Sequence, residues 1–219
     1  MFRQNDRHIR NNEGEIALNY LVKVSPEFIN ISKETGILKL EPIKDRTIFV
    51  SLVRAVINQQ ISGKASEKIY SNLIQNIGNG KHIKPTDISR STLDNLLDCG
   101  ISKNKSVCIK EIAHSVINKK IPNIQKMDSM SDEQIIKSLI VIKGIGTWTA
   151  EMILMFKLGR KDIMPIKDLA VLRGFQKLFN YDNKDSLILL EKKSKKWKPY
   201  RSYAALYLYK AAGSKSIVA

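Results

Sequence analysis

The sequence contains few of the residues that bind metal ions. Cys99 and Cys108 are its only cysteines, and its three histidines are scattered along the chain. This set offers neither the ligand spacing of a zinc site nor the four thiolates of an iron–sulfur cluster. We therefore expect two small buried or inert thiols and no required cofactor.

Long apolar runs are also absent. None approaches the ~18 residues that a membrane-spanning helix needs, and the polar start MFRQNDRHIRNNEGE has no apolar region of the kind found in secretion signals. A hydrophobic content of 43% is nevertheless that of a globular protein. We expect an intracellular protein, of the cytoplasm or nucleoid, with no membrane partner.

Acidic residues are outnumbered, since 37 Lys and Arg stand against 21 Asp and Glu, which gives a formal charge of +16. A single-sign surplus of this size is typical of proteins that bind polyanions. A membrane surface is a poorer candidate because no basic helix carries a broad aromatic face, and solubility alone is the remaining explanation. The charge favours a nucleic acid as the partner.

Strand patterns are nearly absent as well. Apolar residues recur at helical spacing through most of the chain, and only TGILKLEP (35–42) alternates as a strand does. The predicted helices in the second half of the chain include 149–158, 169–179, 184–195 and 200–212. Residues 1–14 look like a flexible polar tail. The sequence predicts an all-α protein.

The stretch VIKGIGTWTAEMIL sets two glycines between apolar segments. Gly144 and Gly146 allow a sharp backbone turn, so that residues 139–155 are predicted to form a helix, a hairpin and a second helix. The N–H groups at such a helix start favour a phosphate, and the hydroxyls of Thr147 and Thr149 would add contacts. An ordinary helix–helix turn is the alternative, but on a chain of this charge we favour phosphate binding.

Three stretches resemble one family. KGIGTWTAEMILMFKLGRKDIMPIKDLAVLRGF resembles the helix-hairpin-helix plus Gly/Pro/Asp (HhH-GPD) signature of base-excision DNA glycosylases, and within them the 3-methyladenine DNA glycosylase II type. SLVRAVINQQISGKASEKIY resembles the helix and DNA-probing loop of that branch, and WKPYRSYAALYLYKAA resembles its closing helix. The resemblance covers roughly residues 45–212, in the order that the family has.

The resemblance implies a bilobal helical fold with an active-site cleft between the lobes. One lobe would comprise residues 15–50 and 160–219, with Asp168 and the closing helix, and the other would comprise residues 51–159, with the hairpin. It also implies a monomeric, monofunctional glycosylase that hydrolyses the N-glycosidic bond of alkylated bases, above all 3-methyladenine, during base excision repair. Its partner would be double-stranded DNA with a flipped damaged nucleotide.

The resemblance assigns catalysis to Asp168, 22 positions after Gly146. Asp168 stands before the apolar run of a predicted helix, where a carboxylate also serves as an ordinary N-cap. A fixed anion beside C1′ would stabilise the positive charge that builds on the deoxyribose and would orient the attacking water. Because an alkylated, cationic base leaves readily, one carboxylate would suffice. The only nearby competitor, Asp162, sits among cations and looks like a surface charge.

The resemblance places Trp148 and Tyr209 at the base pocket. Trp148 occupies the position at which lyase-type relatives carry a Schiff-base lysine, and because an indole forms no imine we expect no lyase step. Tyr209 matches the aromatic residue that stacks on the flipped base. Either side chain would equally suit a hydrophobic core.

Two further features follow from the resemblance. Gln59, Gln60 and Ile61 match the loop that enters the gap left by the flipped nucleotide, with Gln60 as the wedge. Without the resemblance these residues are the polar end of an apolar helix. Family hairpins also bind a monovalent cation, Na⁺ or K⁺, through backbone carbonyls. The equivalent carbonyls here belong to Ile140, Ile142 and Ile145.

Two other functions stay open at this point. A non-catalytic helix-hairpin-helix protein would bind damaged or branched DNA, but it would have no reason to place the carboxylate of Asp168 beside a polyanion. A glycosylase for uracil, mismatched or oxidised bases would share the fold and differ only in its pocket. Lysine clusters at 103–110 and 192–198 would add to the DNA footprint, and the sequence does not say which lysines contribute.

Overall fold

The computed structural model describes residues 5–61, 63–181 and 185–214, with the backbone alone for residues 5–12. Every regular element within these ranges is helical, which confirms the predicted all-α class. No helix among them is both long and apolar enough to cross a bilayer. The helices are α1 (Asn5–Val24), α2 (Phe28–Thr35), α3 (Ile48–Asn58), α4 (Gly63–Asn76), α5 (Pro85–Arg90), α6 (Leu93–Asp98), α7 (Lys103–Ile117), α8 (Ile124–Asp128), α9 (Asp132–Ile140), α10 (Thr147–Met152), α11 (Leu169–Phe179), α12 (Ser186–Ser194) and α13 (Arg201–Ala211).

The chain folds into two compact units. Among the described residues, the discontinuous unit combines those up to Pro42 with those from Gly159 onward, and it therefore contains α1, α2 and α11–α13. The continuous unit runs from Ile43 to Leu158 and contains α3–α10. In the continuous unit, α10 is followed directly by a π-helical turn over Ile153–Lys157.

Aromatic side chains form the core of the discontinuous unit. The ring of Phe28 on α2 meets the rings of Trp197 and Tyr207 edge-on, with centroids 5.3 Å and 6.0 Å apart. Phe175 and Phe179 of α11 stack on each other at 4.8 Å. Phe28 also meets Phe179 edge-on at 5.8 Å. Large buried aromatic side chains dominate core energetics, so Phe28 links α11 and α13 within one cluster.

Gly174 allows α11 and α13 to approach closely. A Cβ atom at Gly174 would overlap the backbone carbonyl of Leu208 on α13. A glycine inside a helix lowers its stability by about 1 kcal/mol relative to alanine. The close contact with α13 is the physical reason for a glycine at this position.

Several helices of the continuous unit begin at residues whose side chains cap them. The hydroxyl of Thr47 accepts a hydrogen bond from an N–H group in the first turn of α3, and Thr92 and Ser131 do the same for α6 and α9. The apolar faces of these helices meet in a common core. Its fully buried side chains include Leu52, Ile109, Ile112, Leu139 and Leu154.

Helix α1 begins at Asn5, whereas the sequence predicts a flexible tail over residues 1–14. Its first half, NDRHIRNNEG, contains a single apolar residue, so no periodicity marks it as helical. Gly14 lies inside this helix, where a Cβ atom would stand 2.6 Å from the carbonyl oxygen of Leu38. Residues 1–4 of the predicted tail lie outside the described residues.

Candidate active site and nucleic-acid interface

Asp168 caps the N-terminus of α11. Its Oδ1 atom accepts hydrogen bonds from the N–H groups of Ala170 at 2.7 Å and Val171 at 3.3 Å. The residue is 9% exposed. The N–H groups and the positive end of the helix dipole stabilise the negative charge of such a carboxylate. The capping and the catalytic interpretations of Asp168 are therefore compatible, because the cap anchors an anion at a defined place.

Tyr209 of α13 binds the same carboxylate. Its hydroxyl donates to Oδ2 of Asp168 at 2.9 Å, and the side chain is 5% exposed. The fold thus brings the predicted catalytic residue and one predicted pocket residue into direct contact. The contact is made by the hydroxyl and not by the ring face. Nothing in the sequence signals it, since the two residues are 41 positions apart.

Asp162, the competing carboxylate, is engaged in an ion pair. Nε and Nη2 of Arg201 donate to its two carboxylate oxygens at 2.7 Å and 3.0 Å. Both side chains are only about a quarter exposed, at 25% for Arg201 and 28% for Asp162. This two-pronged pair ties the segment before Asp168 to the start of α13. Asp162 therefore serves the fold and is not the loose surface charge that its sequence context suggested.

The hairpin between α9 and α10 uses its two glycines differently. Gly144 has a φ of +94°, and a Cβ atom there would lie 2.7 Å from both Cβ and Sγ of Cys108. Gly146 is the N-cap of α10, with an ordinary φ of −94°, and a Cβ atom there would meet no other atom within 4 Å. Gly144 is thus required by the turn and its packing, whereas Gly146 leaves the start of α10 uncovered.

The two threonines of the hairpin also differ. Thr147, the first residue of α10, is exposed and available to a phosphate. Thr149 is 1% exposed, and its hydroxyl accepts a hydrogen bond from Nε2 of Gln59 at 3.0 Å. This corrects the predicted phosphate contact of Thr149, because a buried hydroxyl that already binds the loop after α3 does not face a ligand in solvent.

The loop after α3 is braced by a lysine of α7. Nζ of Lys105 donates to the carbonyl oxygens of Ile57 at 2.8 Å and Gln59 at 2.6 Å, which satisfies carbonyls at the end of α3. Burial lowers the pKa of the Lys105 ammonium group. Gln60 follows with a φ of +59° and is exposed, and Ile61 is 37% exposed. Of the three predicted loop residues, Gln60 and Ile61 are therefore presented to solvent on a braced backbone, whereas the side chain of Gln59 is bound to Thr149.

In the lysine cluster at 103–110, the structure shows what Lys105 and Lys110 bind. Nζ of Lys110 donates to the carbonyl oxygens of Ile88 at 3.2 Å and of Ser91, at the end of α5. Lys103, in contrast, is exposed. Two of the three lysines in this cluster are thus structural caps. No sequence signal separates them from Lys103, because the carbonyls they bind lie far away along the chain.

Trp148 is the second residue of α10 and is half-buried. It belongs to the continuous unit, whereas Asp168 and Tyr209 belong to the discontinuous unit.

Of the three predicted cation ligands, Ile140 is the last residue of α9, and Ile142 and Ile145 lie in the hairpin turn. The carbonyl oxygen of Ile142 accepts a hydrogen bond from the N–H group of Ile145 at 3.0 Å, and a carbonyl oxygen has a second lone pair for a cation. Backbone carbonyls are ligands that suit Na⁺ and K⁺. In the described part of the chain, no group of three or more His, Cys, Asp and Glu side chains could hold a metal ion.

Comparisons with known proteins place these features in a family. Residues 53–199 match the family model described as HhH-GPD superfamily base excision DNA repair protein. The chain is 32% identical over 194 residues to the alkylbase DNA glycosidase-like protein mag2 of Schizosaccharomyces pombe, which covers 88% of this chain and 91% of that protein. It is 34% identical over 164 residues to DNA-3-methyladenine glycosylase 1 of the same yeast, which covers 75% and 72%.

Solved structures agree with this assignment. The structure of 3-methyladenine DNA glycosylase Mag1 of S. pombe in complex with abasic DNA matches with a TM-score of 0.81 and 31% identity, covering 89% of this chain and 95% of that chain. The DNA-3-methyladenine glycosidase of Bacillus halodurans matches with a TM-score of 0.76 and 32% identity, covering 90% and 89%. The protein therefore belongs to the HhH-GPD superfamily of base excision DNA repair proteins.

Proposed function

We propose that this protein is a monofunctional DNA glycosylase that removes alkylated bases of the 3-methyladenine type from double-stranded DNA. The relatives reported above are named as glycosylases or glycosidases of such bases, and one of them is bound to abasic DNA, the product of base removal. The observation that carries the proposal is the carboxylate of Asp168, anchored by N–H groups of α11 on one oxygen and by Tyr209 on the other.

The chemistry requires one fixed anion. As the N-glycosidic bond breaks, the base leaves with the bonding electron pair and positive charge develops on the deoxyribose. The carboxylate of Asp168 stabilises that charge, and water then adds to C1′ and loses a proton. A base that alkylation has made cationic departs as a neutral molecule, so no second acid is needed. DNA with an abasic site is the product.

The protein holds the duplex at a backbone phosphate and at the gap that the flipped nucleotide leaves in the base stack. The exposed start of α10, at Gly146 and Thr147, offers N–H groups to a phosphate, and such a contact positions DNA without reading its sequence. Gln60 and Ile61 enter the space left by the flipped nucleotide. Na⁺ or K⁺ on the hairpin carbonyls would add positive charge beside the phosphate. The enzyme acts as a monomer.

A panel of duplexes, each with one modified base, tests this function. It includes 3-methyladenine and 7-methylguanine, with uracil, a mismatch and 8-oxoguanine as the alternatives, and the measurement is the release of free base. We expect release of the alkylated purines. Release of uracil or 8-oxoguanine alone would move the protein to another class of glycosylase. Tight binding to abasic duplex without any release would identify a non-catalytic DNA-binding protein.

A further inference from the structure

The hydroxyl of Tyr209 makes a contact that base stacking does not need. It donates to Oδ2 of Asp168 at 2.9 Å, while Oδ1 of the same carboxylate accepts from the N–H groups of Ala170 and Val171. Both oxygens are thus held by donors of the protein, and the plane of the carboxylate is fixed. With only 5% of its surface exposed, Tyr209 offers little ring face to a base.

The packing of α11 on α13 makes this contact possible. Leu208 directly precedes Tyr209, and its carbonyl oxygen lies only 1.9 Å from the position that a Cβ atom of Gly174 would take. The helix that begins at Asp168 therefore approaches the helix that carries Tyr209 as closely as a glycine permits. A larger residue at position 174 would push the two helices apart and lengthen the hydrogen bond between Tyr209 and Asp168.

We propose that Tyr209 is a positioning residue for the reaction, and that its hydroxyl holds Asp168 in the orientation from which the carboxylate acts on the sugar. This inference rests on the proposed function of Asp168. An anion that is already oriented needs no rearrangement when charge develops on the sugar, and such preorganisation is a large source of rate enhancement. If Tyr209 served only as an aromatic surface, phenylalanine would replace it without loss.

Tyr207 provides a matched control on the same helix. It is fully buried, and its hydroxyl donates to the carbonyl oxygen of Gly36 at 3.1 Å and accepts from the N–H group of Leu38 at 3.3 Å. Both Tyr209→Phe and Tyr207→Phe thus remove one buried hydroxyl from α13 and keep the ring. Only the first removes a donor to Asp168.

The first readout separates excision from binding. Under single-turnover conditions, Tyr209→Phe should slow base release by roughly 10-fold or more, because a hydrogen bond to a charged group is lost. Its affinity for a duplex with a neutral tetrahydrofuran abasic site should be unchanged. Tyr207→Phe should keep the rate of base release and lower only the thermal stability. In an Asp168→Asn background, Tyr209→Phe should have no further effect on the rate.

The second readout does not depend on turnover. A pyrrolidine nucleotide, whose protonated ring imitates the sugar cation, is compared with tetrahydrofuran in the same duplex. Wild type should bind the cation more tightly, and Tyr209→Phe should reduce this preference several-fold while Tyr207→Phe retains it. An unchanged preference in folded Tyr209→Phe would overturn the role of Tyr209. A strong preference in a wild-type protein that releases no base would overturn the proposed function alone.

Discussion

Gly144 of the hairpin packs directly against Cys108 of α7, so closely that a Cβ atom on Gly144 would lie 2.7 Å from both Cβ and Sγ of Cys108. Cys108 is 3% exposed, and burial raises the pKa of its thiol to about 11. The thiol is therefore protonated at neutral pH and fills space as a small apolar group. This contact packs the turn of the hairpin against α7.

The two hairpin glycines should respond differently to alanine. Gly144→Ala would force a Cβ atom into Cys108 at a φ of +94°, and the backbone strain alone should lower the free energy of unfolding by roughly 1–3 kcal/mol. Gly146→Ala has an ordinary φ and open space, so its stability should stay within about 1 kcal/mol of wild type. Denaturant unfolding measures both values.

Because Gly146→Ala should leave the fold nearly intact, it tests the proposed contact between the start of α10 and DNA. Because its new methyl group stands at the exposed start of α10, it should weaken binding to damaged and undamaged duplexes by the same factor. Affinities measured across a salt series give this comparison. Normal binding by the folded variant would show that the start of α10 does not touch DNA. A loss confined to the damaged duplex would contradict a contact that only positions the backbone.

Asp168→Asn should reduce base release by roughly 100-fold or more, since the anion beside the sugar is gone. Asparagine caps helices as well as aspartate does, so the fold should persist. The affinity for DNA should be equal or higher, because one negative charge near phosphate has been removed. Single-turnover excision and equilibrium binding measure the two effects.

Asp162→Asn is the control for that substitution. It removes a charge of the same sign six positions earlier, but breaks the pair with Arg201 and not the site. We expect lower stability with base release retained. If the two variants lost activity to the same extent, the loss at Asp168 would reflect folding and not chemistry.

From the indole side chain at position 148 we predict that the protein has no lyase step. Borohydride should trap no covalent adduct between the protein and DNA, and abasic product should stay intact until alkali is added, because an indole cannot form an imine with the sugar. A DNA glycosylase that forms an imine with the sugar through a lysine serves as the positive control for trapping. Efficient trapping would show that an amine of the protein acts as a nucleophile, and the first candidates would be Lys143, next to Gly144, and Lys167, next to Asp168.

The role of the loop after α3 can be tested by substituting Lys105, which holds the backbone of that loop. Lys105→Met removes the donors to the carbonyls of Ile57 and Gln59, so it should lower stability by about 1–3 kcal/mol and also slow base release from duplex DNA. Lys110→Met makes the same change on the same helix, but at carbonyls of α5, and should affect stability alone. Equal rates of base release in the two variants would show that this loop does not contribute to base release.

Gln60→Ala tests the wedge directly. Gln60 is exposed, and alanine would adopt the same φ of +59° that glutamine already adopts, so shortening the side chain should leave the fold almost unchanged. We expect weaker binding to abasic duplex and a smaller rise in the fluorescence of 2-aminopurine placed next to the lesion, which reports unstacking. Wild-type fluorescence in this variant would assign the wedge to Ile61 or to another residue.

Much of the candidate site could be anticipated from short stretches of sequence. Asp168 stands before an apolar run and caps α11, as its position indicated, and the Gly-Ile-Gly turn lies between two helices. The close approach at Gly174 left no specific signal, because an isolated glycine inside a helical pattern only weakens the prediction of a helix. Nothing in the sequence signals the separate roles of Gly144 and Gly146, since the two differ in that only Gly144 packs against Cys108.

The sequence by itself determined the helical class, the positive charge and the position of the carboxylate, because periodicity, net charge and capping depend on residues that are close along the chain. Only the tertiary structure decided what distant residues do to one another. It buries Thr149 and pairs its hydroxyl with Gln59, places the ammonium group of Lys105 on carbonyl oxygens at the end of α3, and brings the hydroxyl of Tyr209 to Asp168. These contacts arise when helices pack, and packing determines which polar groups lose water and must find partners within the protein.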